Sequence, residues 1–132
     1  MNHKKFVLLV DDEAILLLSV QRELMLKLGS EITCLTSLRA EDGLKKIDEL
    51  AEREENLSLV ISDWLMPGMN GDVFLREVRK RYPKVRLVLL SGHVDDEQVT
   101  SISHDIDLFA FLKKPCRRNE IYDTVKQAIE QT

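Results

Sequence analysis

Short apolar runs recur along the chain at residues 6–10, 32–36, 57–62, 85–90 and 108–112. The first, third and fourth are almost wholly Val, Leu and Ile, the pattern of strands covered on both faces rather than of strands with one wet face. Between them, apolar residues recur at helical spacing over 14–28, 38–54, 72–81, 95–103 and 118–129. Gly29, Pro67-Gly68 and Pro83 fall at the joints, where helix breakers belong. Strand alternating with helix predicts an α/β fold: a doubly wound, five-stranded parallel sheet with right-handed crossovers. Such sheets place their ligand sites at the carboxyl ends of the strands, so those ends are where chemistry is to be sought.

Length and composition narrow this further. At 132 residues, with 44% hydrophobic and 32% charged side chains, the chain has the size of one domain with one ordinary core, and a single domain over 1–132 is expected. No apolar run approaches the roughly 20 residues that span a bilayer, and the run after Lys4-Lys5 is too short and too soon charged for a signal peptide. The expectation is a cytoplasmic protein without a membrane partner. Cys34 and Cys116 match no redox or zinc spacing and read as small buried hydrophobes. A net charge of −4 argues against direct nucleic-acid binding. The basic cluster Arg76, Arg79, Lys80, Arg81, Lys84 and Arg86 reads as a solvated helix face running into a turn.

The strand ends carry Asp11 and Asp12 after the first run, Asp63 after the third, Ser91 after the fourth and Lys114 after the fifth. Each alone suits an ordinary turn or cap; their convergence on one sheet edge is what points to chemistry. Three carboxylates brought together repel, at about 4 kcal/mol per pair ~4 Å apart for an effective dielectric near 20. Lys114 supplies one compensating charge, and Mg²⁺, a hard ion that takes oxygen ligands and keeps several waters, suits the remainder. His3, His93 and His104 are too scattered to form a softer metal site. A carboxylate beside Mg²⁺, a hydroxyl and an ammonium is a phosphoryl-acceptor arrangement. Asp63 is the favoured acceptor, because it stands alone on a central strand ahead of the loop Trp64-Leu65-Met66-Pro67-Gly68.

Val10-Asp11-Asp12-Glu13, Asp63-Trp64-Leu65-Met66-Pro67-Gly68-Met69-Asn70-Gly71, Leu90-Ser91-Gly92 and Phe111-Leu112-Lys113-Lys114-Pro115, in this order, closely resemble the receiver domains of two-component response regulators. The resemblance covers essentially the whole chain and implies a flavodoxin-like (βα)5 fold with strand order 2-1-3-4-5. It makes Asp63 the phosphoacceptor, Asp12 a direct Mg²⁺ ligand, Asp11 a ligand acting mainly through metal-bound water, and Leu65 the donor of a backbone carbonyl to the metal. Lys114 and Ser91 would bind the phosphoryl group. Phe111 would turn inward as the hydroxyl moves, altering the surface of the fourth helix, fifth strand and fifth helix, and the Lys114-Pro115 bond would be cis. The phosphodonor would be a sensor histidine kinase or a histidine phosphotransfer protein, the output a downstream protein partner, and the output face a possible homodimer interface.

Some positions depart from the usual pattern. Ser91 stands where Thr is commoner in the family it resembles, Leu65 and His93 occupy positions that in that family influence phosphate lifetime, and His104-Asp105-Ile106-Asp107 replaces the family's usual small-residue turn before the fifth strand. On the first helix, Leu16, Leu17, Val20 and Leu24 form the buried face, while Ile15, Leu18 and Met25 are apolar elsewhere, surface that can mark a partner site, and the resemblance implies that it docks the donor's helical bundle. The competing reading is an interaction module that works without phosphorylation. A phosphatase acting through an aspartyl phosphate would want a further acid-base carboxylate two residues after Asp63, where Leu65 stands, so the chain is not expected to be an enzyme on a separate substrate.

Overall fold

Every strand end faces the same way because each strand is followed by a helix that returns the chain to start the next. The order is β1 (Lys5–Val10), α1 (Ala14–Leu28), β2 (Ile32–Ser37), α2 (Ala40–Glu52), β3 (Asn56–Asp63), α3 (Gly71–Arg81), β4 (Arg86–Ser91), α4 (Asp96–Ile106), β5 (Ala110–Lys113) and α5 (Arg118–Glu130). The structure, a computed structural model, describes residues 4–92 and 95–131, leaving aside the side chains of Asp96 and Arg118. His3 and His93 therefore lie outside the described residues. The strands form one parallel sheet in the order β2-β1-β3-β4-β5, as expected from the sequence.

Alternation along the central strands divides the core in two. Val7 and Leu9 of β1, Leu59 and Ile61 of β3, and Val88 and Leu90 of β4 meet α1 and α5. Leu8, Val10, Val60, Leu87 and Leu89 point the other way, onto Ile47 of α2, Phe74, Leu75 and Val78 of α3, and Ile102 and Ile106 of α4. Burying such a side chain fully contributes about 1.5–3 kcal/mol, which is why strands apolar on both faces fold only inside helical layers. No helix among the described residues is long and apolar enough to cross a membrane.

The outer margin of β2 is covered by side chains. Gln21 Nε2 donates to the Cys34 carbonyl at 2.7 Å, the Cys34 N–H donates to Met25 Sδ at 3.4 Å, and Lys46 Nζ donates to the Thr36 carbonyl. Met25 is thus packed between α1 and the edge of β2 rather than forming part of an exposed patch, a correction to the sequence reading. The exposed apolar residues of α1 are Ile15, Leu18 and Leu26, at 85%, 62% and 80% exposure.

Other differences have local causes. Leu38 and Arg39 are not helical: Arg39 is extended at the start of α2, so the helix opens two residues later than its apolar pattern suggests. The fourth helix runs past Ser103 to Ile106 because a further turn buries Ile106; Asp107, at φ 54, then closes it with an N–H to the Ser103 carbonyl. Leu108 also donates to that carbonyl, which delays the fifth strand to Ala110. Cys116 is half-buried rather than buried, with Sγ 3.8 Å from Glu120 Oε2. Burial and that carboxylate push its thiol up to about 11, and burial pushes Cys34 to about 12, so both remain thiols.

The basic cluster faces solvent at four of its six residues, as expected, while Arg79 and Arg86 are half-buried. Arg81 bridges Glu77 and Asp48, Arg76 pairs with Asp105, and Arg79 is half-buried against backbone carbonyls. Lys80 and Lys84 do face solvent.

Candidate phosphoryl-acceptor site

The carboxyl ends of β1, β3, β4 and β5 bring the expected residues to one edge. Carboxylate oxygens of Asp11, Asp12 and Asp63 lie within 4.8 Å of one another. Asp11 and Asp63 are buried and Asp12 is exposed, so the trio forms a pocket with one wet side. Lys114 Nζ enters from β5, 2.8 Å from Asp11 Oδ2 and 3.4 Å from Asp63 Oδ1. Ser91 is buried at the end of β4, and its carbonyl accepts the Lys114 N–H at 2.8 Å, which ties the hydroxyl-bearing and ammonium-bearing strand ends together.

The sequence reading passed over Glu13. Its Oε1 is 3.1 Å from Lys114 Nζ, and its N–H donates to Asp11 Oδ1 at 2.9 Å as α1 begins. The signal was present as a third acidic residue in the Asp11-Asp12-Glu13 run, but its direction depended on the turn into α1. Lys114 is therefore shared by Asp11, Glu13 and Asp63.

Backbone geometry fixes Asp63. The Trp64 N–H donates to the Leu90 carbonyl at 2.8 Å, continuing the β3–β4 ladder one step past the acid. The following loop folds back so that the Gly71 N–H meets the Trp64 carbonyl at 2.7 Å. A Cβ on Gly71 would stand 2.0 Å from the Asp63 carbonyl oxygen, an approach only glycine permits. Gly68 takes φ +82, and Asn70 Oδ1 accepts the Met66 N–H at 3.3 Å to close the loop. Leu65 in this loop has an exposed side chain, and Trp64 is half-buried against the core. Phe111 is half-buried in β5 against the cluster shared with α4, and the Lys114-Pro115 peptide is cis.

The charges do not balance. Burial, reinforced by the Asp11 charge and only partly offset by Lys114, raises Asp63 from 3.8 to about 6. Burial likewise raises Asp11, against a lowering hydrogen bond from Lys114. Burial disfavours the Lys114 ammonium, but its hydrogen bond to Asp11 and the surrounding carboxylates overcome this and raise its pKa. An all-oxygen donor set with excess negative charge fits a hard divalent cation such as Mg²⁺, which would relieve the repulsion that holds Asp63 high.

Comparison with known proteins identifies the family. The family model described as response regulator receiver domain matches residues 7–126. The hydrogenase transcriptional regulatory protein HoxA of Cupriavidus necator is 31% identical over 124 residues, covering 94% of this chain and 24% of HoxA. Sensor kinase CckA of Brucella abortus is 32% identical over 92 residues, 70% of this chain and 10% of the kinase. The chain thus spans a quarter or less of these two relatives. A response regulator receiver domain protein from Clostridium thermocellum superposes with a TM-score of 0.79 at 26% identity, covering 96% of this chain and 95% of that one. The chain belongs to the response-regulator receiver family of two-component signalling.

Proposed function

We propose that residues 1–132 form a single receiver domain that accepts a phosphoryl group from a phosphohistidine onto Asp63 and signals the change to a protein partner. The observation that carries this reading is the buried Asp63 held 3.4 Å from Lys114 and within 4.8 Å of two further carboxylates. Asp11, Asp12, Asp63 and the Leu65 carbonyl would hold Mg²⁺, which when bound neutralises phosphoryl oxygens and the carboxylates around them. The Asp63 carboxylate displaces the donor imidazole from phosphorus, and Lys114 and Ser91 bind the transferred group. Its charge favours one of two conformations, which are read through Phe111 and the α4–β5–α5 surface. The chain modifies itself and turns over no separate substrate. Cytoplasm is the compartment that suits a histidine kinase or phosphotransfer protein as donor, and the exposed Ile15 and Leu18 beside the site are the surface that donor would meet.

Trp64 adjoins Asp63 and is the only tryptophan in the chain, so its fluorescence reports on the site. The expected result is a saturable response to Mg²⁺ followed by a second change on adding beryllofluoride, an aspartyl-phosphate mimic, with the second change missing in Asp63→Asn. No response to either would remove the phosphorylation mechanism and leave a phosphorylation-independent interaction module.

A further inference from the structure

The fourth helix is held very unevenly. Its buried side chains, Ile102 and Ile106, both lie in its second half, whereas Glu97, Gln98, Thr100 and Ser101 are exposed. Its C-terminal end is fastened twice to α3. Arg76 Nη1 lies 3.0 Å from Asp105 Oδ2. Arg79 donates from Nε to the Ile106 carbonyl at 2.8 Å and from Nη2 to the Asp107 carbonyl at 3.3 Å. The same guanidinium donates from Nη1 to the carbonyls of Pro83 at 2.8 Å and Val85 at 2.6 Å. One planar fork therefore binds the end of α4 and the α3–β4 turn to α3, a geometry that a lysine cannot reproduce.

We propose that Arg79, assisted by the Arg76–Asp105 pair, is a fixed pivot for α4, so that switching swings the helix's N-terminal end about a C-terminal end that stays in place. The inference rests on the phosphorylation switch proposed above and adds which end of the helix moves. β4 ends at Ser91 and α4 begins at Asp96, so only four residues separate the hydroxyl-bearing strand end from the first turn of the helix. Moving the other end means breaking several hydrogen bonds to a charged, half-buried group. An 11-residue helix is about 16 Å long, so a tilt of about 5° about one end carries the other by about 1.4 Å.

Amide hydrogen exchange read by mass spectrometry on the full chain with Mg²⁺, with and without beryllofluoride, tests this while Trp64 fluorescence records binding. Beryllofluoride is expected to alter exchange over residues 95–101 several-fold and to leave 104–109 unchanged. In Arg79→Lys, exchange over 104–109 is expected to rise about tenfold or more without ligand, with the Trp64 response retained. Arg76→Ala leaves Arg79 in place and gives a smaller rise over the same segment, which keeps the test decisive if Arg79→Lys does not fold. Equal changes at both ends of α4 in the unaltered protein would overturn the pivot, as would unchanged exchange at 104–109 in both variants. Absence of any Trp64 response to beryllofluoride in the unaltered protein would instead overturn the switch itself, and the pivot with it.

Discussion

Replacing Asp63 by Asn should stabilise the metal-free protein, because the Asp63 carboxylate is held ionised against its surroundings. Its pKa is raised from 3.8 to about 6 by burial and by Asp11, despite Lys114 at 3.4 Å. That difference corresponds to about 3 kcal/mol, and water reaching the open side of the pocket reduces it to about 2 kcal/mol. The folded-state value lies above the unfolded one, so the folded chain binds the proton more tightly. The penalty is then absent below about pH 4, grows between about pH 4 and 6, and is complete above it. Urea unfolding in the presence of a chelator at about pH 7.5 should therefore find Asp63→Asn more stable by about 2 kcal/mol, equivalent to about 7 °C in Tm. At about pH 3.5 the two proteins should unfold together. Saturating Mg²⁺ should erase or invert the difference at neutral pH, since it binds more tightly to the protein with the full ligand set and so stabilises it more. A chelator-treated Asp63→Asn that is less stable than its parent at neutral pH would refute the account of this site as a cluster of under-compensated carboxylates.

The remaining predictions concern the same edge and its surroundings. Mg²⁺ must compete with the proton on Asp63, so its apparent affinity, followed by Trp64 fluorescence, should fall about tenfold between pH 7 and 5; a flat profile would remove Asp63 from the ligand set. Lys114→Met leaves the buried Asp11 without its counter-charge and should cost about 2–3 kcal/mol in chelator, measured by denaturation, with part of the loss restored by Mg²⁺. Gly71→Ala drives a methyl onto the Asp63 carbonyl and should cost about 3 kcal/mol in the same assay. Changing Ile15 and Leu18 together to Ser should alter stability by about 0.5 kcal/mol or less. It should also slow phosphotransfer from a cognate kinase while sparing modification by a small phosphodonor; unchanged transfer would show that the donor docks elsewhere.

The fold was legible because β1, β3 and β4 are apolar on both faces, a pattern that only a covered parallel sheet rewards. The site was legible for a related reason. Strand ends are sharp in such sequences, and the rule that ligands gather there brings polar residues from four strands to one sheet edge. What stayed hidden depends on side-chain reach rather than on spacing. Arg79 looks like any surface cation in a helix, and nothing in its neighbours announces that four backbone carbonyls converge on it. Met25 looks like spare apolar surface until the β2 edge is in place to use its sulfur. Glu13 carries the right charge, but its contact with Lys114 joins residues 101 positions apart.

The covered margin of β2 bears on how this protein can behave in a crowded cell. A bare strand edge is a template on which neighbouring chains can add strands without limit. Here Gln21, Met25 and Lys46 act as stoppers on the outward carbonyl and N–H of Cys34 and the carbonyl of Thr36. The opposite margin, β5, is only four residues long and carries the exposed Lys113. Encounters between copies of the protein are thereby turned away from backbone zippering and towards helix surfaces, where contact is finite and reversible.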